Sequence, residues 1–348
     1  MRFYCIIAFS FSAACAAQVG SVAIKPVGPP ASSAKSEWRD RRVSAAGPPL
    51  LGFIAGPAAT DLHAIEGQIS KPVIGRAIVL PQDTRAVFLP PPQTYVMLES
   101  TSNRPPSILP LWGVSADFQQ KPSSLTGAMS HPDQVAFSPR GSAAALYSEA
   151  DGRIQILTNL PAQPSITKNL SLSRQGTPSS IAISDDAAVI LAAFPDGRLL
   201  VASTGTAWVN LPLAFTPRDW SFLPGTHHLV LSDALQKTIV LFTNVETPAR
   251  TSQILAQDIL ADRIAVTKDG GELIAASAAS GDVWTIDLTT STITHKAGIP
   301  NIGLLPLRDG FTFLLSSSPQ LFVLRLPGSN STLDPALAQT TSTSAPIQ

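Results

Sequence analysis

The chain has 348 residues, with 24 basic and 24 acidic side chains and no formal net charge; only 14% of its residues are charged, against about 25% in an average soluble domain. A neutral, polar surface of this kind gives no electrostatic steering toward nucleic acid. Both cysteines, Cys5 and Cys15, lie in the first 17 residues, so a chain cut after Ala17 has neither a disulfide nor a Cys-ligated metal.

The chain opens with Arg2 and then an apolar run from Phe3 to Ala17, broken by Ser10 and Ser12 and ending in small residues. That pattern predicts a signal peptide over 1–17, removed after Ala17. The run falls short of the about 20 apolar residues a membrane-spanning helix needs, so no transmembrane segment is expected in the mature chain. Ser12-Ala13-Ala14-Cys15 offers a lipoprotein alternative, anchored at Cys15, although Ser12 stands where that signal wants a large aliphatic residue. The expected location is the periplasm or the cell exterior. Residues 18–49, rich in Pro, Ser and Ala, read as a disordered linker. Residues 328–348, rich in Ser, Thr, Ala and Pro, read as a disordered tail.

Between them, residues 50–327 show no helical period; short β-rich runs alternate with turn signals. The runs align as a repeat. Its first strand reads Val135-Ala136-Phe137-Ser138, Ile181-Ala182-Ile183-Ser184, Trp220-Ser221-Phe222-Leu223 and Ile264-Ala265-Val266-Thr267, at a spacing of roughly 40 residues. A polar turn follows each: Pro139-Arg140-Gly141, Asp185-Asp186, Pro224-Gly225 and Lys268-Asp269-Gly270. These turns predict hairpins. A second strand, a second turn (Asp151-Gly152, Asp196-Gly197, Asp233-Ala234, Gly281-Asp282) and a third strand follow, with looser candidates for a fourth.

Four meandering strands per unit define a propeller blade, which must stack on its neighbours to bury both faces. Ala77-Ile78-Val79-Leu80, with Ala86 to Leu89 and Tyr95 to Leu98, reads as an earlier, Pro-rich copy, and Leu304 to Leu326 as the last one. The expectation is therefore an all-β chain folded as a single β-propeller of four-stranded antiparallel blades. Six blades are predicted, or seven if the pieces Leu51 to Ile54 and Leu62 to Ile65 belong to a further blade; in the six-blade reading these pieces complete the last blade, so that both chain ends share it. The turns at Ser184-Asp185-Asp186 and Lys268-Asp269-Gly270-Gly271, with Asp196-Gly197 later in the blade, resemble the WD-like and YVTN-type propeller repeats of bacterial envelope proteins.

In propellers, ligands meet the face formed by the loops that enter each innermost strand, which is an analogy at the level of the fold. The residues at those entries include Arg76, Asp133, Arg218, Asp219, Asp262 and Arg263. Arginine offers a planar donor fork and aspartate an acceptor, which suits a small anion or a sugar. The competing reading pairs Asp219 with Arg263 across a blade boundary as a packing device. A second candidate is Trp112, beside the long connection Ser115 to Pro132. Ser138 and Ser184 read as turn formers, and Trp208, Trp220 and Trp284 as filling between blades. His227 and His228, adjacent on the chain, would point to opposite faces of an extended segment and could not chelate one ion.

No catalytic, cofactor or metal motif stands out, and no cofactor is expected. The preferred reading is an exported, non-catalytic binding or scaffold protein with a protein or glycan partner at one propeller face. The alternative is a propeller enzyme of lactonase or lyase type, for which Asp133, Asp219 and Asp262 are the acids at hand.

Overall fold

The computed structural model describes residues 49–326, apart from 57–59, 112–120, 204–206, 214, 234, 300–302 and 317–320. The leader, both cysteines, the tail and Trp112 lie outside the described residues. Among these residues every regular element is a β-strand, and consecutive strands pair antiparallel into seven sheets. Blade 1 holds β1 (Leu50–Ala55), β2 (Leu62–Gln68) and β3 (Lys71–Ile78); blade 2 holds β4 (Thr84–Phe88), β5 (Tyr95–Ser100), β6 (Ser107–Pro110) and β7 (Ser123–Ser124). Blade 3 holds β8 (Gln134–Phe137), β9 (Ala144–Ser148), β10 (Arg153–Thr158) and β11 (Ser165–Ser171). In blade 4 are β12 (Ser180–Ile183), β13 (Val189–Ala193), β14 (Leu199–Ser203) and β15 (Val209–Asn210). Blade 5 consists of β16 (Pro217–Phe222), β17 (Leu229–Asp233), β18 (Thr238–Thr243) and β19 (Thr251–Ala256). Blade 6 consists of β20 (Arg263–Val266), β21 (Glu272–Ser277), β22 (Asp282–Asp287) and β23 (Ile293–Lys296), and blade 7 of β24 (Leu305–Pro306), β25 (Thr312–Ser316) and β26 (Leu321–Arg325).

The buried apolar side chains explain why these strands stack as a ring. They fall into seven clusters, each shared by two neighbouring blades. The second strand of a blade is the two-faced one. In β13, Val189, Leu191 and Ala193 face blade 5 while Ile190 and Ala192 face blade 3; in β21, Leu273 and Ala275 face blade 5 while Ile274 and Ala276 face blade 7. Side chains alternate sides along a strand, so a strand buried on both faces is apolar throughout rather than alternating. The runs Val-Ile-Leu-Ala-Ala and Leu-Ile-Ala-Ala that mark these strands in the sequence are that rule at work.

Seven blades replace the six-blade expectation. Ala77 and Ile78, read as an inner strand, end β3, the outermost described strand of blade 1; the inner strand of blade 2 is β4. Nor, among the described residues, do Leu51 to Ile54 and Leu62 to Ile65 complete the last blade: they lie in β1 and β2 of blade 1. Blades 7 and 1, each three-stranded among the described residues, abut as neighbours. Leu51 O accepts from Arg308 N at 3.3 Å, and Ile65, Leu307, Leu314 and Val323 pack between the two blades. Gln93 completes the closure from blade 2. Its side chain, fully buried, accepts from Phe53 N at 2.7 Å and donates to Phe53 O at 3.1 Å and to Pro306 O at 2.9 Å. One amide thus satisfies main-chain groups of both blades at the joint, groups that would be costly to bury unpaired.

The meander gives the ring two faces. Each inner strand starts at what we term the upper face, which also carries the turns between second and third strands; the first hairpin of each blade lies at the lower face. The lower hairpins are built on one pattern. Ser138, Ser184 and Thr267 each close the turn by accepting, on the side-chain oxygen, the N–H five residues on: Ala143, Val189 and Glu272. Ser138 and Ser184 are therefore turn formers. The hairpins also interlock from blade to blade. Asp185 accepts from Arg140 N at 2.5 Å and from Gly225 N at 2.8 Å, tying blade 4 to blades 3 and 5. Gly225 has φ 62°, a left-handed backbone conformation that favours glycine.

Candidate functional site

The upper face carries most of the residues singled out in the sequence, and the structure gathers four of them at the boundary of blades 5 and 6. Arg218 Nε stands 3.3 Å from Asp262 Oδ1. Asp219 Oδ2 accepts from Ile264 N at 2.7 Å, across the boundary, and Arg263 donates from its guanidinium to Asp262 O at 3.0 Å. The ion pair is thus Arg218 with Asp262 rather than Asp219 with Arg263. Burial of the Asp219 carboxyl pushes its pKa up to about 6, against the opposing pull of the Ile264 N–H and the Arg263 charge.

Asp133 and Asp262 do one job in two blades. Asp262 Oδ2 accepts from Ala278 N at 3.0 Å and Asp133 Oδ2 from Glu149 N at 2.7 Å, in each case 16 residues on. Each carboxylate caps the turn between the second and third strands of its own blade. Asp133 belongs to blade 3 and stands apart from the cluster at blades 5 and 6. Arg76 lies within β3 and does not precede an inner strand.

Three arrangements carry no signal in the linear sequence. On the upper face, Glu99 at the end of β5 is almost fully buried and takes Arg85 Nη1 at 3.2 Å and His131 Nδ1 at 2.8 Å, joining blades 2 and 3. On the lower side, His227 lies between Glu246 Oε1 at 2.6 Å and Asp186 Oδ2 at 3.0 Å, joining blades 4 and 5. Burial alone would lower the His227 pKa; the hydrogen bonds to both carboxylates outweigh it and hold the ring above its ordinary value. Neighbouring His228 instead accepts from Asn244 N through Nδ1, and burial lowers its pKa. Glu272, also low in the ring, is pushed up to about 7 by burial and by the nearby charges of Asp269 and Asp287. Among the described residues no group of three His, Cys, Asp or Glu side chains is placed to hold a metal ion.

The third arrangement is a cavity. A cleft of about 420 Å³ opens between blades 4 and 5, lined by the turn Asp196–Arg198 of blade 4, the turn at Leu235 and Gln236 of blade 5, and the connection from Asn210 through Leu211, Leu213 and Phe215 to Thr216. Both turns join second to third strands, which puts the cleft on the upper face. The fourth strand of blade 4 has two residues where that of blade 3 has seven and that of blade 5 has six, and the chain leaving it forms one wall. Arg198 Nε donates to Asp196 Oδ2 at 2.6 Å and its guanidinium to Gln175 O at 3.0 Å, while its charge lies 4.7 Å from the centre of the Phe194 ring. Leu235 is 77% exposed at the other wall. The tryptophans stay structural: Trp208, Trp220 and Trp284 pack against the clusters between blades, and the Trp208 indole donates to Ser171 O at 2.9 Å.

No family model matches the chain, and no curated protein matches it by sequence. Among solved structures, the chain is similar to a functionally unknown protein from Desulfotomaculum acetoxidans (14% identity, TM-score 0.52, 80% of this chain and 92% of that one). It is similar to Kuenenia stuttgartiensis hydrazine synthase (12% identity, TM-score 0.51, 79% and 92%) and to Kluyveromyces lactis Hsv2 (12%, 0.51, 73% and 78%). At such identities the likeness extends to the propeller fold alone. Among the described residues no helix is long and apolar enough to cross a membrane.

Proposed function

We propose that this chain is an exported, non-catalytic binding or scaffold propeller that meets a protein or glycan partner at its upper face. The observation that supports this reading is the contrast between the acids of that face and its cavity. Asp133, Asp219 and Asp262 each accept a main-chain N–H, from Glu149, Ile264 and Ala278, so the carboxylates an enzyme would need are engaged in holding turns and blades. The cleft between blades 4 and 5 instead presents exposed polar and apolar side chains to solvent, which is the composition of a recognition site. The elevated Asp219 pKa favours the alternative, a lactonase- or lyase-like enzyme acting at the channel mouth, since perturbed acids gather at catalytic sites.

A photo-crosslinking amino acid placed at Leu235 or Arg218 on the upper face, and at Lys268 on the lower face, tests the reading in the producing cell. Adducts from the upper positions with none from Lys268 are expected. Adducts from the lower face alone, or lactone hydrolysis by purified protein that Asp219→Asn abolishes, would overturn it.

A further inference from the structure

We infer that the cleft between blades 4 and 5 is a carbohydrate site that takes a neutral sugar unit; this rests on the reading that the upper face binds a partner, and narrows it to one class. The cavity, about 420 Å³, lies within the roughly 300–1,000 Å³ of small-molecule sites. Its two charged groups cancel. Asp196 takes both the Nε and the main-chain N–H of Arg198, at 2.6 and 3.1 Å, and the same guanidinium is held by Gln175 O and lies against Phe194. The pair is half-exposed and leaves the cleft without net charge, so neither an anion nor a cation is drawn to it strongly.

The remaining polar side chains are suited to hydroxyl groups. Asn210 and Thr216 line the cleft with an amide and a hydroxyl, each both donor and acceptor, and a sugar hydroxyl likewise donates and accepts. On the same walls Leu213, Phe215 and Leu235 supply the apolar surface that the C–H face of a pyranose ring covers. An extended peptide is the weaker fit. Strand addition needs a run of free main-chain groups, and the edge beside the cleft, β15, is two residues long. A neutral polyol with one apolar face meets every group that the lining offers.

Calorimetric titration of the full chain with cellobiose, maltose, lactose and N,N′-diacetylchitobiose, and with a digalacturonate as the charged comparison, tests the assignment. Saturable binding of at least one neutral disaccharide is expected. Asn210→Ala and Leu235→Asp change exposed side chains, retain the wild-type melting temperature, and weaken that binding about tenfold each, as loss of one hydrogen bond or one apolar contact does. The proposal is overturned if no neutral disaccharide saturates by about 10 mM, if only the digalacturonate binds, or if both variants bind like the wild type. Sugar titrations that fail while upper-face crosslinks persist remove the carbohydrate assignment and leave the binding face standing; failure of both removes both.

Discussion

Among the described residues, blades 3 and 4 meet over sixteen buried apolar residues, among them Tyr147, Phe194 and Ile190, and blades 7 and 1 over Ile65, Leu307, Leu314 and Val323. Only the second of these seams has, among the described residues, a buried side-chain amide, that of Gln93, bonded to main-chain groups of both its blades. The two seams therefore fail for different reasons: one by loss of packing, the other by loss of hydrogen bonds that nothing else can supply.

The largest effect is expected at the closure. Gln93→Ala leaves Phe53 N, Phe53 O and Pro306 O without their partner, and should cost about 4 kcal/mol in urea unfolding. Ile190→Ala opens a cavity in the seam of blades 3 and 4 and should cost about 3 kcal/mol. A smaller loss for Gln93→Ala than for Ile190→Ala would show that apolar contact, not the amide, closes the ring.

The smallest and most condition-dependent effect belongs to the seam between blades 4 and 5. The folded pKa of His227 is raised, so its contribution is fully present below the unfolded value of about 6.5 and is lost as pH rises through the folded pKa. His227→Ala should accordingly cost about 1 kcal/mol more at pH 5.5 than at pH 9. An equal loss at the two pH values would mean that the imidazolium does not hold this seam.

Much of the fold was legible because the repeat is local. Ser184-Asp185-Asp186 and Lys268-Asp269-Gly270 mark hairpins in which the Ser184 and Thr267 hydroxyls and the Asp186 and Asp269 carboxylates bond within a few residues of themselves, and local bonds leave local signatures. Blade 1 was misread for the same reason. It turns at Ile69 and Ser70 without an Asp-Gly signal, and Pro72 near the start of β3 and Pro81 after its end punctuate the sequence so that the end of β3 resembles the start of a blade.

The candidate site was legible only in part. Arg218, Asp219, Asp262 and Arg263 do come together because two successive blades place equivalent residues side by side, and a repeat register predicts that neighbourhood. Which arginine pairs with which aspartate depends on the pitch between blades, a tertiary quantity. The cleft between blades 4 and 5 left no trace: the sequence offers a fourth-strand candidate there as in other blades, and nothing in it shows that only Val209–Asn210 forms strand. Glu99 with His131, His227 with Glu246, and Gln93 with Pro306 lie 32, 19 and 213 residues apart in sequence, separations that match no repeat spacing and so are not flagged by it.

By itself the sequence determined that this chain is built of stacked antiparallel strands, since strands buried on both sides must be apolar throughout and their hairpins must carry particular turn residues. Tertiary structure alone decided that there are seven blades, that Leu51 to Ile54 and Leu62 to Ile65 belong to a blade of their own, and that a cleft opens between blades 4 and 5. Those outcomes depend on how seven imperfect copies share the angle of a closed ring, a constraint that acts on all of them at once and is written in none.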